Sequence, residues 1–245
     1  MVQAKNRKKY IADNVARLVS RIADAESRAG RPPGSTKMLA ATKNRSVEEV
    51  LGAVEAGVRF LGENRVQELL EKEPAVRGLA EMHFIGHLQR NKVRQVVGLV
   101  DLIHSLDSER LAAAIDDRAG ALGLRQRVLV QVNVAGEESK SGIRPPEAEG
   151  FIARLGELEN IEAVGLATIA PLADDTEDVR WVFRRLRELG ESLQGSIEGF
   201  ECSELSMGMT GDFEVAVEEG STIVRIGTAI FGPRASDQLS GKEVQ

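Results

Sequence analysis

Residues 205–213, LSMGMTGDF, and 221–234, STIVRIGTAIFGPR, are short apolar runs ending in glycine, hydroxyl or acidic groups, with the helix-compatible segment EVAVEEG between them. Strand, helix, strand in that order is the unit of a parallel sheet. Reading outward, similar runs recur: MLAAT (38–42), VRFLGEN (58–64), MHFIGH (82–87), LIHSL (102–106), RVLVQVN (127–133), IEAVGLATI (161–169), FECSELSM (200–207) and TIVRIGTAIFG (222–232). Polar segments of helical periodicity separate them. Helix signals support the spacing: Ser46 with Glu49 forms a capping box, Gly57 and Gly220 suit C-terminal caps, and Asp107 or Ser108 caps LAAAIDDRAGAL. An open doubly wound sheet would also fit the alternation, but the G-x-G-x-x-G expected after its first strand is missing. Eight units favour closure into a (β/α)8 barrel, and 245 residues with 42% hydrophobic content suit one such domain.

Ahead of the barrel, Ile11, Val15, Leu18, Ile22, Ala25 and Ala29 recur at spacings of three and four, which predicts an extra amphipathic helix over residues 6–29. The segment Gly30-Arg31-Pro32-Pro33-Gly34 stops it. The expected domain is residues 1–234, followed by a disordered tail, 235–245. The charged segments RELGESLQGSIEGFE and DDTEDVRWVFRRLRELG read as solvated helix faces, with Trp181 and Phe183 packing. A net charge of -6 and a pI near 5.3 offer no general field for nucleic acid or an anionic membrane. The single cysteine, Cys202, rules out an internal disulfide and any CxxC zinc site. With no apolar run of membrane-spanning length and no signal-like amino terminus, a cytoplasmic location is expected.

In (β/α)8 barrels the chemistry sits at the carboxyl ends of the strands. There the chain places Lys43, Asn64, His87, Ser105, Asn133, Thr168, Ser206 and the Gly227-Thr228 pair, all expected to ring one mouth. Lys43 directly follows an apolar strand, where partial burial would favour an amine nucleophile towards a carbonyl; the plain alternative is a solvated strand-end lysine. Ser206, Gly227 and Thr228 follow the pattern of a phosphate site after strands seven and eight, although Gly227 also suits a simple turn. Alternation puts Arg225 on the side of Gly227, aimed into the mouth, with a rim salt bridge as the alternative. Were pyridoxal 5′-phosphate (PLP) to occupy that mouth, an arginine at its ring nitrogen would leave the nitrogen an unprotonated acceptor and the ring a weak electron sink, which argues against an aminotransferase.

The motifs LGENRVQE, MHFIGHLQRNK, VQVNVAGEESKSGI and LSMGMTGDFEVAVEEGSTIVRIGTAIFG occur together and in order, and from Ile11 to Pro233 the chain closely resembles the PLP homeostasis protein family. Members resemble the amino-terminal barrel of alanine racemase, lack its second domain and bind PLP on the lysine after the first strand. The resemblance implies that Lys43 carries PLP as a Schiff base. It places Asn64 and His87 near the cofactor, and Ser206, Met207, Arg225, Gly227 and Thr228 around its ring and phosphate. By themselves, His87 would read as a structural histidine and Met207 as core packing. Lys140, in SKSGI, takes an accessory role. Two departures from the family pattern, Ala41-Thr42-Lys43-Asn44-Arg45 and Arg65 after GEN, bear on rim contacts rather than on cofactor binding.

Three functions compete. A PLP carrier acting in homeostasis needs a reversible site and no further acid or base, and would hand PLP to apo PLP-dependent enzymes. A racemase-like PLP enzyme needs a base on each face of the substrate carbon, and Tyr10, the one tyrosine, lies on the leading helix. A barrel binding another phosphorylated metabolite without covalent chemistry would use the same phosphate loops. The resemblance favours the carrier, expected to be a monomer and not an enzyme.

Overall fold

The computed structural model describes residues 2–138 and 140–233. The expected tail, 235–245, and the end of the predicted domain at 234 lie outside them. A long helix α1 (Val2–Arg28) precedes eight strands: β1 (Lys37–Ala41), β2 (Phe60–Glu63), β3 (Glu81–Phe84), β4 (Leu102–Leu106), β5 (Gln126–Gln131), β6 (Ile161–Ala167), β7 (Glu204–Met209) and β8 (Ile223–Ile226). All are parallel and close in sequence order into a barrel, with β8 hydrogen-bonded to β1. The helices between strands are α2 (Val47–Glu55), α3 (Val66–Val76), α4 (Val93–Val96), α5 (Glu109–Leu122), α6 (Ala148–Leu155), α7 (Arg180–Ser196) and α8 (Phe213–Glu218), with a single turn α9 (Thr228–Phe231) after β8.

Local signals act as expected at several ends. Ser46 and Glu49 form the capping box of α2. Gly57 and Gly220, with φ of 104° and 102°, sit just beyond α2 and α8. There the pairs Gly57 N–H to Val54 and Val58 N–H to Ala53 close a left-handed cap, repeated by Gly220 to Val217 and Ser221 to Ala216. Some boundaries differ. The leading helix begins at Val2 rather than 6, and residues 228–231 form α9 instead of prolonging the last strand. Ser108 holds the first position before α5 without a side-chain cap bond. Phe183 is fully buried, but Trp181 is 51% exposed and does not pack as expected.

Alternate strand residues feed two apolar layers. Leu39, Leu102, Leu129, Val164, Ala167 and Ile223 fill the barrel interior. Ala40, Leu61, Ile103, Val128, Val130, Leu166, Val224 and Ile226 face the helices. Helix α1 closes over the β8–β1 side: the Asn14 side chain donates to the Ile230 carbonyl (2.9 Å), Arg21 pairs with Glu214 (2.8 Å), and Glu26 accepts the amides of Gly34 and Thr36. Among the described residues no helix is long and apolar enough to cross a membrane.

Gly165 marks the tightest backbone approach. It follows the register shift between β5 and β6 at φ 154°, and a Cβ there would lie 1.9 Å from the Glu204 carbonyl oxygen. Gly165→Ala is expected to lower stability by about 3 kcal/mol or more, because backbone must move. Gly195→Ala, in open space within α7, should raise it by about 0.5–1 kcal/mol. Urea midpoints of the two variants check both signs.

Candidate functional site

Lys43 stands half-buried two residues beyond β1, on a turn anchored from both sides. The buried Thr42 donates its amide to the Gly62 carbonyl (2.9 Å) and its hydroxyl to that carbonyl and to Glu63. Beneath it, the Lys72 ammonium, only 2% exposed, donates to the Thr42 carbonyl (2.8 Å), Glu63 (2.6 Å) and Glu68 (2.8 Å). Glu68 also accepts the Asn44 amide (2.7 Å), and Asn44 is the non-glycine residue held at positive φ, 58°, among the described residues. Burial pushes the Glu63 carboxyl up, opposed by Lys72 and Thr42. At Glu68 burial acts the same way, but the bonds from Lys72 and Asn44 outweigh it and hold the carboxyl below its usual range. Lys43 therefore sits on a fixed turn.

Neighbouring strand ends complete the rim. Register places Ala41 beside Gly62, so Asn64 leaves β2 next to Lys43. Gly86 packs so closely on Asn64 that a Cβ would lie 2.2 Å from the Asn64 oxygen. Gly227 meets Ala41 and starts α9, with Thr228 exposed beside it. His87 is exposed, its ring 3.7 Å from Asp107, whose carboxyl burial pushes up against the pull of His87. Asn133 braces the loop after β5 by donating to the carbonyls of Glu137 (2.8 Å) and Lys140 (3.3 Å) and accepting the Gly136 amide. Lys140 bonds Glu137 (2.7 Å) and the Ala170 carbonyl (3.1 Å), joining the loops after β5 and β6.

Three expected mouth residues lie elsewhere. Ser105 is buried in β4. Met207 is fully buried in the layer between sheet and helices, because its neighbours on β7 alternate inward and outward; its side chain packs and does not face the mouth. Ser206 does face inward, but below the rim: register sets it beside Ile223, two residues before Arg225. Its hydroxyl meets His104 Nδ1 (2.9 Å) and accepts from Arg225 (2.5 Å), so Ser206 is engaged in supporting Arg225 rather than standing at the rim.

Arg225 is the centre of the interior. Its guanidinium donates to the Ser206 carbonyl (2.8 Å) and hydroxyl and to the Thr168 carbonyl (2.8 Å), while the Thr168 hydroxyl donates to Val132 (2.7 Å). Burial pushes its pKa down to about 10, opposed by Asp212, so it remains a cation at neutral pH. Asp212 is itself raised by burial, against the Met209 amide (2.5 Å) and Arg225. With Ile85, His104, Gln131, Ala167, Thr168 and Ile169, Arg225 lines a small cavity at the carboxyl ends of the strands.

Reading the sequence missed Glu63, Lys72, His83, His104 and Asp212. Lys72 carried a signal: it falls on the inward face of α3 with Val66, Leu69 and Val76, where a charge must be paired. His83 and His104 carried another, as imidazoles inside otherwise apolar strands.

This geometry defines a (β/α)8 barrel whose paired strands β1 and β8 lead into a lysine and into a glycine-threonine pair, with a buried arginine on β8. The model of the family described as alanine racemase, N-terminal domain, matches residues 14–235. The chain belongs to that family and, within it, to the pyridoxal phosphate homeostasis proteins. The member from Aquifex aeolicus (strain VF5) is 46% identical over 223 residues, covering 91% of this chain and 97% of that protein. That from Vibrio cholerae serotype O1 is 38% identical over 229 residues, covering 91% and 96%. The solved structure of PipY from Synechococcus elongatus PCC7942 with PLP bound is 34% identical, covers 91% of this chain and 100% of that one, and superposes with a TM-score of 0.79.

Lys72→Met leaves the Glu63 carboxylate buried without its cation and is expected to cost about 3–5 kcal/mol in urea unfolding. Adding Glu63→Gln should recover part of that loss. A cost below about 1 kcal/mol would mean that the pair is solvated.

Proposed function

We propose that this chain binds PLP at the carboxyl-terminal mouth of its barrel, holds it reversibly as a Schiff base on Lys43, and acts in intracellular PLP homeostasis and carriage rather than turnover. What supports this reading is that Lys43 stands on a fixed turn two residues beyond β1, while β8, the strand paired with β1, carries the buried cation Arg225 to a cavity at the carboxyl ends of the strands. Family membership supports the same ligand. The donor set fits: Gly227 and Thr228 offer close backbone approach and a hydroxyl to a phosphate, and Arg225 offers N–H groups to a ring acceptor. PLP supplies an aldehyde, to which a primary amine adds with loss of water and from which water regenerates both.

The residues of the chain act around that exchange. The Thr42–Glu63–Lys72 network holds the turn, so the amine arrives in one place. Arg225, a donor without acceptor capacity, presents hydrogen bonds and does not protonate the ring, which keeps the ligand a poor electron sink. Racemisation needs a second base facing Lys43. Both nitrogens of His104 are already engaged, Tyr10 lies on α1 beside Gly232, and the exposed His87 stands 3.7 Å from Asp107. Within this reading Asn64 and His87 stand at the cofactor's rim, Ser206 supports the ring contact through Arg225, and Lys140 serves the loop over it. The protein is a cytoplasmic monomer that delivers PLP to apo PLP-dependent enzymes.

Titration with PLP tests the site and the role together. Wild-type protein should develop a visible band at one equivalent that Lys43→Ala lacks, and should not racemise alanine faster than free PLP does. A band retained by Lys43→Ala would overturn the assignment of the lysine. Racemisation dependent on Lys43 would overturn the carrier role.

A further inference from the structure

The mouth rests on a line of polar groups crossing the barrel interior, of which the reading above leaves His83 and His104 without a role. His83 on β3 and His104 on β4 are buried and meet through Nδ1 and Nε2 at 2.9 Å, their ring centroids 5.1 Å apart. His104 Nδ1 meets the Ser206 hydroxyl at 2.9 Å, and Arg225 meets the same hydroxyl at 2.5 Å. At the far end, His83 Nε2 has no hydrogen-bond partner and lies 3.7 Å from Glu81, which opens on a groove at the amino-terminal face of the barrel.

Direction follows from donor capacity. Arginine only donates, so the Ser206 oxygen accepts and its single hydrogen turns to His104 Nδ1. A neutral His104 then carries its proton on Nε2 and donates to His83 Nδ1, which puts the His83 proton on Nε2, towards the Glu81 carboxylate. The reverse order would leave the serine hydrogen between two donors and set a lone pair of His83 against a carboxylate. Burial, with the Arg225 cation adding to it, holds His104 well below the ordinary histidine range, in keeping with a neutral ring.

We propose that His83 and His104 are positioning residues for Arg225: by fixing the Ser206 hydroxyl as donor to His104, they keep its lone pairs for the guanidinium and lock Arg225 against β6 and β7. Two of the arginine's nitrogens are thereby committed to Thr168 and Ser206, and the contact left to a ligand's ring acceptor is set in direction. The consequence for bound PLP rests on the function proposed above; the tautomers do not.

Long-range nitrogen NMR of the PLP-free protein tests the chain first, with His87→Asn assigning the third histidine. Both His83 and His104 should be neutral at pH 7 with the proton on Nε2; a proton on Nδ1 of either ring, or a cationic ring, would overturn the proposal. Two variants then test its purpose. His104→Leu removes both bonds, whereas His104→Asn keeps an acceptor towards Ser206. In His104→Leu the visible band of bound PLP should shift and PLP affinity should fall about tenfold, the loss of one good hydrogen bond. His104→Asn should restore the band and most of the affinity, whatever the order of the two melting temperatures. A wild-type band and affinity in a folded His104→Leu protein would refute the positioning role. If His104→Leu does not fold, a His104→Asn protein with shifted band and lost affinity would refute it instead. Failure of wild-type protein to take up PLP would sink the proposed function and leave the tautomers to be judged by NMR alone.

Discussion

Hydrogen bonding of β1 to β8 closes the sheet, and the geometry of the mouth depends on that closure. The pairing sets Leu39 beside Arg225 and Ala40 beside Ile226. Lys43 and the Gly227-Thr228 pair consequently leave adjacent strands although 184 positions separate Lys43 from Gly227 in the numbering. An open sheet of the same strands would put the lysine and the arginine at opposite edges. Helix α1 braces the seam through Asn14, Arg21 and Glu26, which gives the extra helix a structural task at the point where the barrel meets itself.

Within the closed barrel the core is split between packing and polarity. Leucine, isoleucine and valine fill part of the interior, while His83, His104, Ser206 and Arg225 cross the rest. Desolvating an ion costs several kcal/mol unless its hydrogen bonds are met. Arg225 meets that demand with two carbonyls and a hydroxyl, and Lys72 with one carbonyl and two carboxylates. One cation ties β8 to β7 and to the end of β6, and the other steadies the turn bearing Lys43. Both sets of partners come from more than one strand or helix, so losing either would loosen the mouth as well as the fold.

The parts legible in the sequence were those with local causes. The eight strand runs, the capping box at Ser46, the glycine caps at Gly57 and Gly220 and the lysine after β1 each announce themselves within a few residues. Alternation was enough to aim Arg225 inward. What escaped was set by pairing across the barrel. Ser206 was expected at the rim, but the register shift between β7 and β8 drops it below Arg225. His104 and Ser206 are 102 positions apart and Lys72 lies 30 beyond Thr42, distances over which no periodicity connects them. The place of Met207 follows from strand alternation once Ser206 is known to point inward; there the family resemblance had outweighed the residue pattern.

A carrier and an enzyme built on this barrel share a lysine and differ in what faces it. Here Lys43 stands on a fixed turn, Arg225 is bonded to the barrel wall, and of the imidazoles His87 is exposed at the rim beside Asp107 while His104 is tied into the interior. The central claim is that Lys43 is the residue that takes the cofactor. Reduction of PLP-treated protein with borohydride, followed by peptide mapping, measures this directly. The account predicts one pyridoxyl adduct on the peptide containing Lys43, whereas label on Lys140 or spread over surface lysines would contradict it.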